Sequence, residues 1–149
     1  MKLIRINPPV YLYLAVILMI VMHLWIPLMD LISYPITLLG IIPLIYGIVL
    51  NLAADSSLKR QDTTVKPQLE TRVLITTGIF KVTRNPMYLG FGFILLGIAI
   101  LLGTLFPFVL VIAYPVFMDT VFIRYEEFKL ENKFGSIWYD YKNNVRRWI

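Results

Sequence analysis

The fold is decided by the stretch from Asn85 to Met118, which reads NPMYLGFGFILLGIAILLGTLFPFVLVIAYPVFM and contains no Asp, Glu, Lys or Arg. At about 1.5 Å of rise per residue, about 20 helical residues cross the hydrocarbon core, so these 34 residues are too many for one crossing and marginal for two. Turn residues stand near the middle, at 103–107. We therefore predict a tight hairpin of two helices, over 86–102 and 106–124. A single long tilted helix would have to accommodate Gly103 and Pro107.

Two further uncharged stretches precede the hairpin. There are 24 uncharged residues between Arg5 and Asp30, and another 24 between Asp30 and Asp55. Each can cross the bilayer once, which predicts membrane helices over 10–29 and 34–54. The first could instead be a signal peptide, but its apolar part exceeds the about 7–15 residues usual there and no small-residue cleavage site follows. We expect it to be a retained helix.

The composition is typical of an integral membrane protein. Of the 149 residues, 58% are hydrophobic and 15% charged, against about 45–50% and about 25% in soluble domains. The chain has no cysteine, which excludes disulfides and thiolate metal sites, and its single histidine gives no zinc constellation. We expect that histidine, His23, to be a hydrogen-bonded packing residue. The sequence thus predicts neither a metal nor a covalent nucleophile.

The basic residues predict the topology. All 14 Lys and Arg lie before the first helix, within 55–84, or from Arg124 onward. The positive-inside rule then places both termini and the loop 55–85 in the cytoplasm, which requires an even number of crossings. The net charge of +5 becomes a topology signal, and nucleic-acid binding loses its support. The predicted fold is one all-α integral membrane domain, residues 1–149, with four transmembrane helices and both termini in the cytoplasm.

The long loop ends in a helix start that suits an anion. In Arg84-Asn85-Pro86, we expect Asn85 to accept backbone N–H bonds as the N-cap and Pro86 to occupy the first helical position. The free N–H groups and Arg84 beside them could hold a carboxylate or phosphate. Capping alone would also explain these residues. The loop itself is either packed through its apolar residues or a solvated linker.

Three acids lie near the end of the fourth helix. Glu126 and Glu127 point about 100° apart, so we expect one to face a cavity and the other to face solvent or nearby lysines, Lys129–Lys133. Asp119 lies seven residues before Glu126, on nearly the same helix face. An acid at membrane depth suggests a function. The alternative is that Asp119 is simply paired, with Arg84, Arg124 or a Tyr hydroxyl.

The segment 125–149 is predicted to be cytoplasmic or interfacial and to contain an amphipathic helix. Gly135 is an expected helix stop. Aromatic and apolar residues then recur on one helical face with basic residues alongside, which is typical of a helix at the headgroup boundary. The helix is therefore either an interfacial anchor or a lid over a cytoplasmic pocket. The face consists of Phe134, Trp138, Tyr141, Val145 and Trp148.

Together these motifs resemble the isoprenylcysteine carboxyl methyltransferase family of integral membrane enzymes, particularly its short prokaryotic members; the same superfamily includes the phospholipid N-methyltransferases. The resemblance covers about residues 60–149 and rests on the order of the motifs. They are Thr64-Val65-Lys66-Pro67, Leu74-Ile75-Thr76-Thr77-Gly78-Ile79-Phe80, Arg84-Asn85-Pro86-Met87-Tyr88-Leu89-Gly90, Glu126-Glu127, and the tail through Val145-Arg146-Arg147-Trp148.

The resemblance implies a cofactor, S-adenosylmethionine, in a cytoplasm-facing pocket. It implies that the loop 74–78 supplies backbone bonds, that Tyr88 and the Arg-x-Pro turn line the pocket, and that the Glu pair holds the amino end or ribose. The Arg-His-Pro of eukaryotic members is Arg84-Asn85-Pro86 here, so any role of that histidine passes to Asn85 or disappears. The implied catalytic residues are Arg84, Asn85, Tyr88 and Glu126; the implied cofactor contacts are Leu74, Ile75, Thr77, Gly78, Arg84, Asn85, Tyr88, Gly90, Glu126 and Glu127.

The expected function is methyl transfer by direct in-line displacement to a lipid-like or small hydrophobic acceptor, a carboxylate, thiol or amine, in the lipid bilayer. An activated methyl donor needs mainly alignment, which fits a chain without a metal site. Glu126 and aromatic side chains suit a sulfonium cation. The alternatives are a small four-helix transporter or scaffold, which would carry an acid on an early helix, and a nicotinamide-dependent membrane reductase, which would carry more basic residues for the phosphates.

Overall fold

A computed structural model describes residues 7–26, 29–60 and 73–149. In these ranges the chain is helical, with no β-strand beyond one isolated bridge between Asp30 and Thr104. The fold is therefore all-α, as predicted. Part of the predicted loop 55–85, and all of its motif at 64–67, lies outside the described residues. The α-helices are α1 (Pro8–Trp25), α2 (Ile41–Lys59), α3 (Pro86–Leu102), α4 (Leu105–Met118), α5 (Arg124–Phe134) and α6 (Ser136–Asn144).

Three helical segments among the described residues are long and apolar enough to cross a membrane. They are Pro8–Trp25, Ile36–Lys59, in which a 3₁₀ turn leads into α2, and Leu105–Phe134. The remaining apolar helix, α3, has 17 residues. Large apolar side chains on the outer faces of α1 and α2 are exposed, as expected where lipid replaces water. The chain is a membrane protein with an all-helical fold.

Gly103 ends α3 and lies in the short turn between α3 and α4. Its φ of 70° lies in the left-handed region, where glycine adds no steric penalty, and its N–H closes α3 on the Ala99 carbonyl. A Cβ at this position would also collide with the Ile32 carbonyl. The Gly103 carbonyl in turn accepts the Leu31 N–H at 2.8 Å. The loops around residues 30 and 104 thus meet at one end of the molecule.

His23 lies at the same end. Its Nδ1 is 3.0 Å from the Thr104 Oγ1, and the ring is partly buried. The expectation of a hydrogen-bonded packing residue agrees with this contact.

Glycines allow α2 and α3 to pack backbone to backbone. A Cβ on Gly47 would lie 2.5 Å from the Gly90 carbonyl oxygen, and a Cβ on Gly97 would lie 2.7 Å from the Gly40 carbonyl oxygen. Side chains at these positions would force the helices apart, so the small residues set the contact. Gly92 differs, since a Cβ there would meet nothing within 4 Å.

The helix that begins at Leu105 extends beyond the predicted boundary. The sequence prediction ended it at residue 124, but a π-helical turn, Asp119–Ile123, joins α4 to α5, and the helix continues to Phe134. α2 likewise continues to Lys59, past the predicted residue 54. Charges mark where apolar surface ends, whereas a helix can continue into a polar environment as long as its polar residues face outward.

The buried core lies between α1, α3, α4 and the π-helical turn. α1 begins, α2 ends and α3 begins at the same end of the molecule, opposite the loops around residues 30 and 104. α5 and α6 follow at that end, which carries the candidate site. The core residues are Leu12, Met19, Tyr88, Phe91, Leu95, Ala99, Tyr114, Met118, Phe122 and Ile123.

Candidate functional site

A cavity of about 370 Å³ lies where α1 and α3 begin and α2 ends, and α5 and α6 complete its wall. This volume falls in the range of about 300–1,000 Å³ that small-molecule sites occupy. Most of the wall is apolar, with a few convergent polar groups. The cavity brings together seven of the residues that the sequence singled out, namely Leu74, Ile75, Arg84, Asn85, Tyr88, Glu126 and Glu127.

Three other expected cofactor contacts do not line this cavity: Thr77, Gly78 and Gly90. Gly90 packs against α2, where a Cβ would collide with the Asn51 amide and lie 2.8 Å from the Gly47 carbonyl oxygen. Gly78 begins a 3₁₀ turn with φ of 63°, and a Cβ there would lie 3.2 Å from the Ser57 Oγ. Gly78 and Gly90 shape the surrounding backbone in this conformation.

Tyr88 and Glu126 form a hydrogen-bonded pair in the wall. The Tyr88 hydroxyl donates to the Glu126 Oε1 at 2.7 Å, across the contact between α3 and the α4–α5 helix. The Tyr88 ring is buried next to Phe91 and Phe122, with centroid separations of 6.5 and 6.4 Å. Because packing holds the phenol, the hydrogen bond fixes the direction of the Glu126 carboxylate.

Glu127 does not face solvent or the nearby lysines, so that part of the sequence prediction is wrong. Its side chain is only 9% exposed and lies between two arginines. The Arg147 guanidinium donates from Nη2 to Oε2 at 2.6 Å and from Nε to Oε1 at 3.1 Å. Arg84 Nη1 lies 3.0 Å from Oε1, as an ion pair whose angle is not that of a hydrogen bond. The two neighbouring glutamates therefore have different partners.

Asp119 is paired. Its Oδ1 accepts from Arg147 Nη1 and its Oδ2 from Arg124 Nε, both at 3.0 Å. The expected shared face with Glu126 is wrong, because the π-helical turn after Met118 takes more residues per turn than an α-helix and shifts the register. As a result, Asp119 shares the Arg147 guanidinium with Glu127.

The chain end folds back onto the start of α3. The Arg147 carbonyl accepts from the Thr83 Oγ1 at 3.1 Å and from the Asn85 Nδ2 at 2.9 Å. Helix α3 begins at Pro86 as predicted, but the Asn85 side chain makes no capping hydrogen bond. The capping prediction is wrong: the Asn85 side-chain oxygen accepts no capping hydrogen bond, and Nδ2 instead donates to a carbonyl 62 residues away.

Helix α6 packs inward over the cavity. It begins after Gly135, whose φ of 51° stops α5 as expected. Trp138 is 1% exposed and lines the cavity with Tyr141, whose hydroxyl donates to the Phe80 carbonyl at 2.7 Å. Burial raises the pKa of Tyr141 to about 12, against a lowering influence of Arg84. The helix ends at Asn144, so the predicted face does not continue as one helix to residue 148.

Three buried donor atoms in the wall have no hydrogen-bond acceptor among the described residues. They are Arg84 Nε, Arg84 Nη1, which is only ion-paired with Glu127, and Trp138 Nε1. The Arg84 side chain is 8% exposed, and its guanidinium carbon lies 5.5 Å from the centroid of the Trp138 ring. Because an unsatisfied buried donor costs about 1–3 kcal/mol, the wall is suited to a ligand that supplies acceptors.

The sequence predicted the helix with Trp138 and Tyr141 to be either an interfacial anchor or a lid over a cytoplasmic pocket, and both residues line the cavity. It did not name these two residues, or Arg147, as site residues. Arg147 was named only within the tail motif and as a basic residue, with no role in the site, although its environment raises its pKa, chiefly through the hydrogen bonds to Glu127. Nothing in the local sequence names a partner twenty residues away. In the described ranges, no three His, Cys, Asp or Glu side chains are grouped to hold a metal ion.

A helical membrane domain with a ligand-sized, partly polar cavity at one end defines the class of this protein. A family model described as phospholipid methyltransferase matches residues 35–137, well over half of the chain. The chain belongs to this phospholipid methyltransferase family, in agreement with the resemblance noted in its motifs. None of the curated proteins matches the chain. The family and the fold together make it a membrane protein of a methyltransferase family.

Proposed function

We propose that this protein is an S-adenosylmethionine-dependent methyltransferase that methylates a lipid-like acceptor at the membrane. The observation that carries the proposal is the cavity, which joins the Tyr88–Glu126 pair to the unsatisfied donors of Arg84 and Trp138. Family membership supports a methyl-transfer reaction.

The polar groups of the wall fit the cofactor. The free donors of Arg84 and Trp138 suit a carboxylate or ribose hydroxyls, which accept hydrogen bonds. The Glu126 carboxylate suits an ammonium or sulfonium cation. Apolar lining residues, including Ile75 and Phe80, suit the adenine ring. Glu127 is already paired with two arginines, so we assign it to the wall and not to ligand contact.

The reaction needs little from the chain beyond alignment and shielding. A bound sulfonium cofactor supplies an activated methyl group. Tyr88 orients Glu126 through the 2.7 Å hydrogen bond, and α6 covers the cavity with Trp138 and Tyr141, which keeps water out. Correct orientation of two reactants can supply about 7–11 kcal/mol of the barrier.

The position of Glu126 favours an amine acceptor. A carboxylate acceptor would meet like charge at Glu126, whereas an ammonium group would be attracted to it. Attack on the methyl group requires a neutral amine, so a base must take one proton. Glu126 is the acid of the wall that is not held by arginines, and it has an oxygen that Tyr88 does not use. A lipid-like molecule with an amine headgroup is therefore the acceptor class we propose.

We further propose that four helices cross a prokaryotic cytoplasmic membrane, the fourth being α3. Its 17 residues span about 25 Å at about 1.5 Å per residue, slightly less than the hydrocarbon core. Close packing on α2 through glycines supports its place inside the bundle. The loops near residues 30 and 104 are in contact, which supports one common side, with both termini and the cavity on the cytoplasmic side.

The decisive test is ligand binding by the detergent-purified protein. Thermal stabilisation and calorimetry with S-adenosylmethionine and S-adenosylhomocysteine should show binding, and NADPH should show none. Stabilisation by NADPH alone would favour the reductase, and stabilisation by none of the three would leave a transporter or scaffold. The acceptor is then sought by incubating lipid extracts with methyl-labelled cofactor, where label is expected in amine lipids.

A pair of variants tests the assigned residues. Glu126→Gln keeps the shape of the side chain and removes the charge, so adenosyl-ligand affinity should fall at least about tenfold while the protein stays folded. Glu131→Gln is the matched control on α5, because Glu131 contacts Tyr139 and Lys142 outside the cavity. Equal affinity of both variants and wild type would remove Glu126 from the site.

A further inference from the structure

The carboxyl-terminal segment makes an ion network against the cavity wall that ligand contact alone does not explain. We call Arg84, Glu127, Arg147 and Asp119 the arginine clamp. In it, one guanidinium from the chain end binds two acids at three nitrogen atoms, with N–O distances of 3.1, 2.6 and 3.0 Å. Neither Arg147 nor Asp119 lines the cavity.

The clamp reaches the cavity through two routes. The side chain of Arg147 holds Glu127, and Glu127 lies 3.0 Å from the Arg84 guanidinium in the wall. The backbone carbonyl of Arg147 accepts from Thr83 and from Asn85, which borders the cavity. One residue thus fixes both neighbours of the Arg84 backbone and the acid that neutralises its side chain.

We propose that Arg147 is a positioning residue, which sets the geometry of Arg84 in the cavity through Glu127 and so determines how tightly the cavity binds its ligand. The inference rests on the proposed function. The inference gives the two adjacent glutamates different roles. Glu126 contacts the ligand, whereas Glu127, held by Arg147, fixes the position of the Arg84 guanidinium. The same network explains why the carboxyl-terminal segment packs on the start of α3.

Position 147 requires the several planar donors of a guanidinium group, and not only a positive charge. Arg147 uses Nε and Nη2 on Glu127 and Nη1 on Asp119, so three donors in one plane meet two carboxylates. Lysine carries the same charge on a single nitrogen and cannot make this pattern. Arg147→Lys should therefore loosen the clamp although the net charge is unchanged.

The test compares Arg147→Lys with Arg146→Lys, the same chemical change one residue earlier. The Arg146 side chain contacts only the Ile149 carbonyl at 3.5 Å among the hydrogen bonds of the described residues. We expect Arg147→Lys to raise the Kd for S-adenosylhomocysteine and the KM for S-adenosylmethionine about tenfold, and to change kcat of labelled methyl transfer less than about twofold. Arg146→Lys should match wild type.

A double variant tests whether Arg147 acts through Glu127. If it does, Glu127→Gln combined with Arg147→Lys should bind no more weakly than the weaker single variant, because the same connection is broken twice. Additive losses, a fall in kcat with unchanged KM, or equal effects at positions 146 and 147 would each overturn the proposal.

A ligand-free measurement separates this inference from the proposed function. The chain has no cysteine, and Thr83 is 0% exposed beneath the Arg147 carbonyl, so Thr83→Cys gives a single buried thiol. Adding Arg147→Lys should speed its modification by a thiol reagent, and adding Arg146→Lys should not. If wild type binds no adenosyl ligand, the proposed function fails, and these rates alone decide whether Arg147 holds the chain end; equal rates overturn the inference.

Discussion

The α2–α3 contact and the arginine clamp hold α3 from two sides by opposite means. On one side glycines remove side chains, so that Gly47 and Gly90 approach backbone to backbone. On the other side the longest charged side chains reach across, and the Arg147 guanidinium binds Asp119 and Glu127. The first contact depends on size and tolerates nothing larger. The second depends on pairing, so it fails when one partner is left without the other.

The largest loss of stability is expected when Glu127, the central acid of the arginine clamp, is removed. Glu127→Ala leaves the guanidinium groups of Arg84 and Arg147 without their shared acid, and removal of one partner from a buried ion pair costs about 3–5 kcal/mol. Thermal unfolding in detergent should therefore show a clearly lower Tm. The matched control is Glu131→Ala, since Glu131 is paired at the surface with Lys142 at 3.9 Å. A Tm equal to wild type for Glu127→Ala would show that the clamp adds nothing to stability.

The next largest loss of stability is expected when a large side chain replaces a glycine in the α2–α3 contact. In Gly47→Leu the new Cβ would lie 2.5 Å from the Gly90 carbonyl oxygen and 2.8 Å from the Ile94 backbone nitrogen, so the helices must separate. Overpacking of this kind costs about 1–3 kcal/mol. The drop in Tm should exceed that of Gly92→Ala, which adds a methyl group where nothing lies within 4 Å. Equal Tm values for the two variants would contradict the close α2–α3 contact.

A smaller effect, on binding and not on folding, is expected at Tyr88. Tyr88→Phe keeps the ring among Phe91 and Phe122 but removes the hydroxyl that orients Glu126. Affinity for S-adenosylhomocysteine should fall about tenfold, or about 1.4 kcal/mol. Calorimetry measures the change. Unaltered affinity would mean that Glu126 holds its position without Tyr88.

The two contacts also differ in how far the sequence predicts them. Uncharged length and turn residues are local signals, so the helical membrane fold and the start of α3 at Pro86 could be read directly. Gly90 was predicted as a cofactor contact, yet it packs against α2, where a Cβ would lie 2.8 Å from the Gly47 carbonyl oxygen. The partner of each glycine requires the relative positions of two helices, which the pattern does not contain.

The charged contact could not be predicted because its partners are far apart along the chain. Asn85 has the sequence of an N-cap, yet it donates to a carbonyl 62 residues later. Asp119 was assigned the wrong helix face because one π-helical turn changes the register, and no residue type marks such a turn. Seven of the predicted site residues line the cavity, whereas the residues that hold them in place were not predicted.

The smallest effect is expected at the hydrogen bond that joins α6 to the segment before α3. In Tyr141→Phe the ring remains, and only the 2.7 Å bond from the hydroxyl to the Phe80 carbonyl is lost, which costs about 1 kcal/mol. The pKa of Tyr141 is raised to about 12, so the folded state favours the protonated hydroxyl. Its contribution is fully present below the unfolded pKa of about 10 and is lost as pH rises through the folded value.

The stability difference between wild type and Tyr141→Phe should accordingly be constant from neutral pH to about pH 10 and shrink between about pH 10 and 12. Chemical unfolding at several pH values measures it. Tyr139→Phe is the control on the same helix, because its hydroxyl bonds Glu131 at the exposed surface. A difference that stayed constant through pH 12 would show that the Tyr141 ring environment, and not its protonated hydroxyl, joins α6 to the cavity wall.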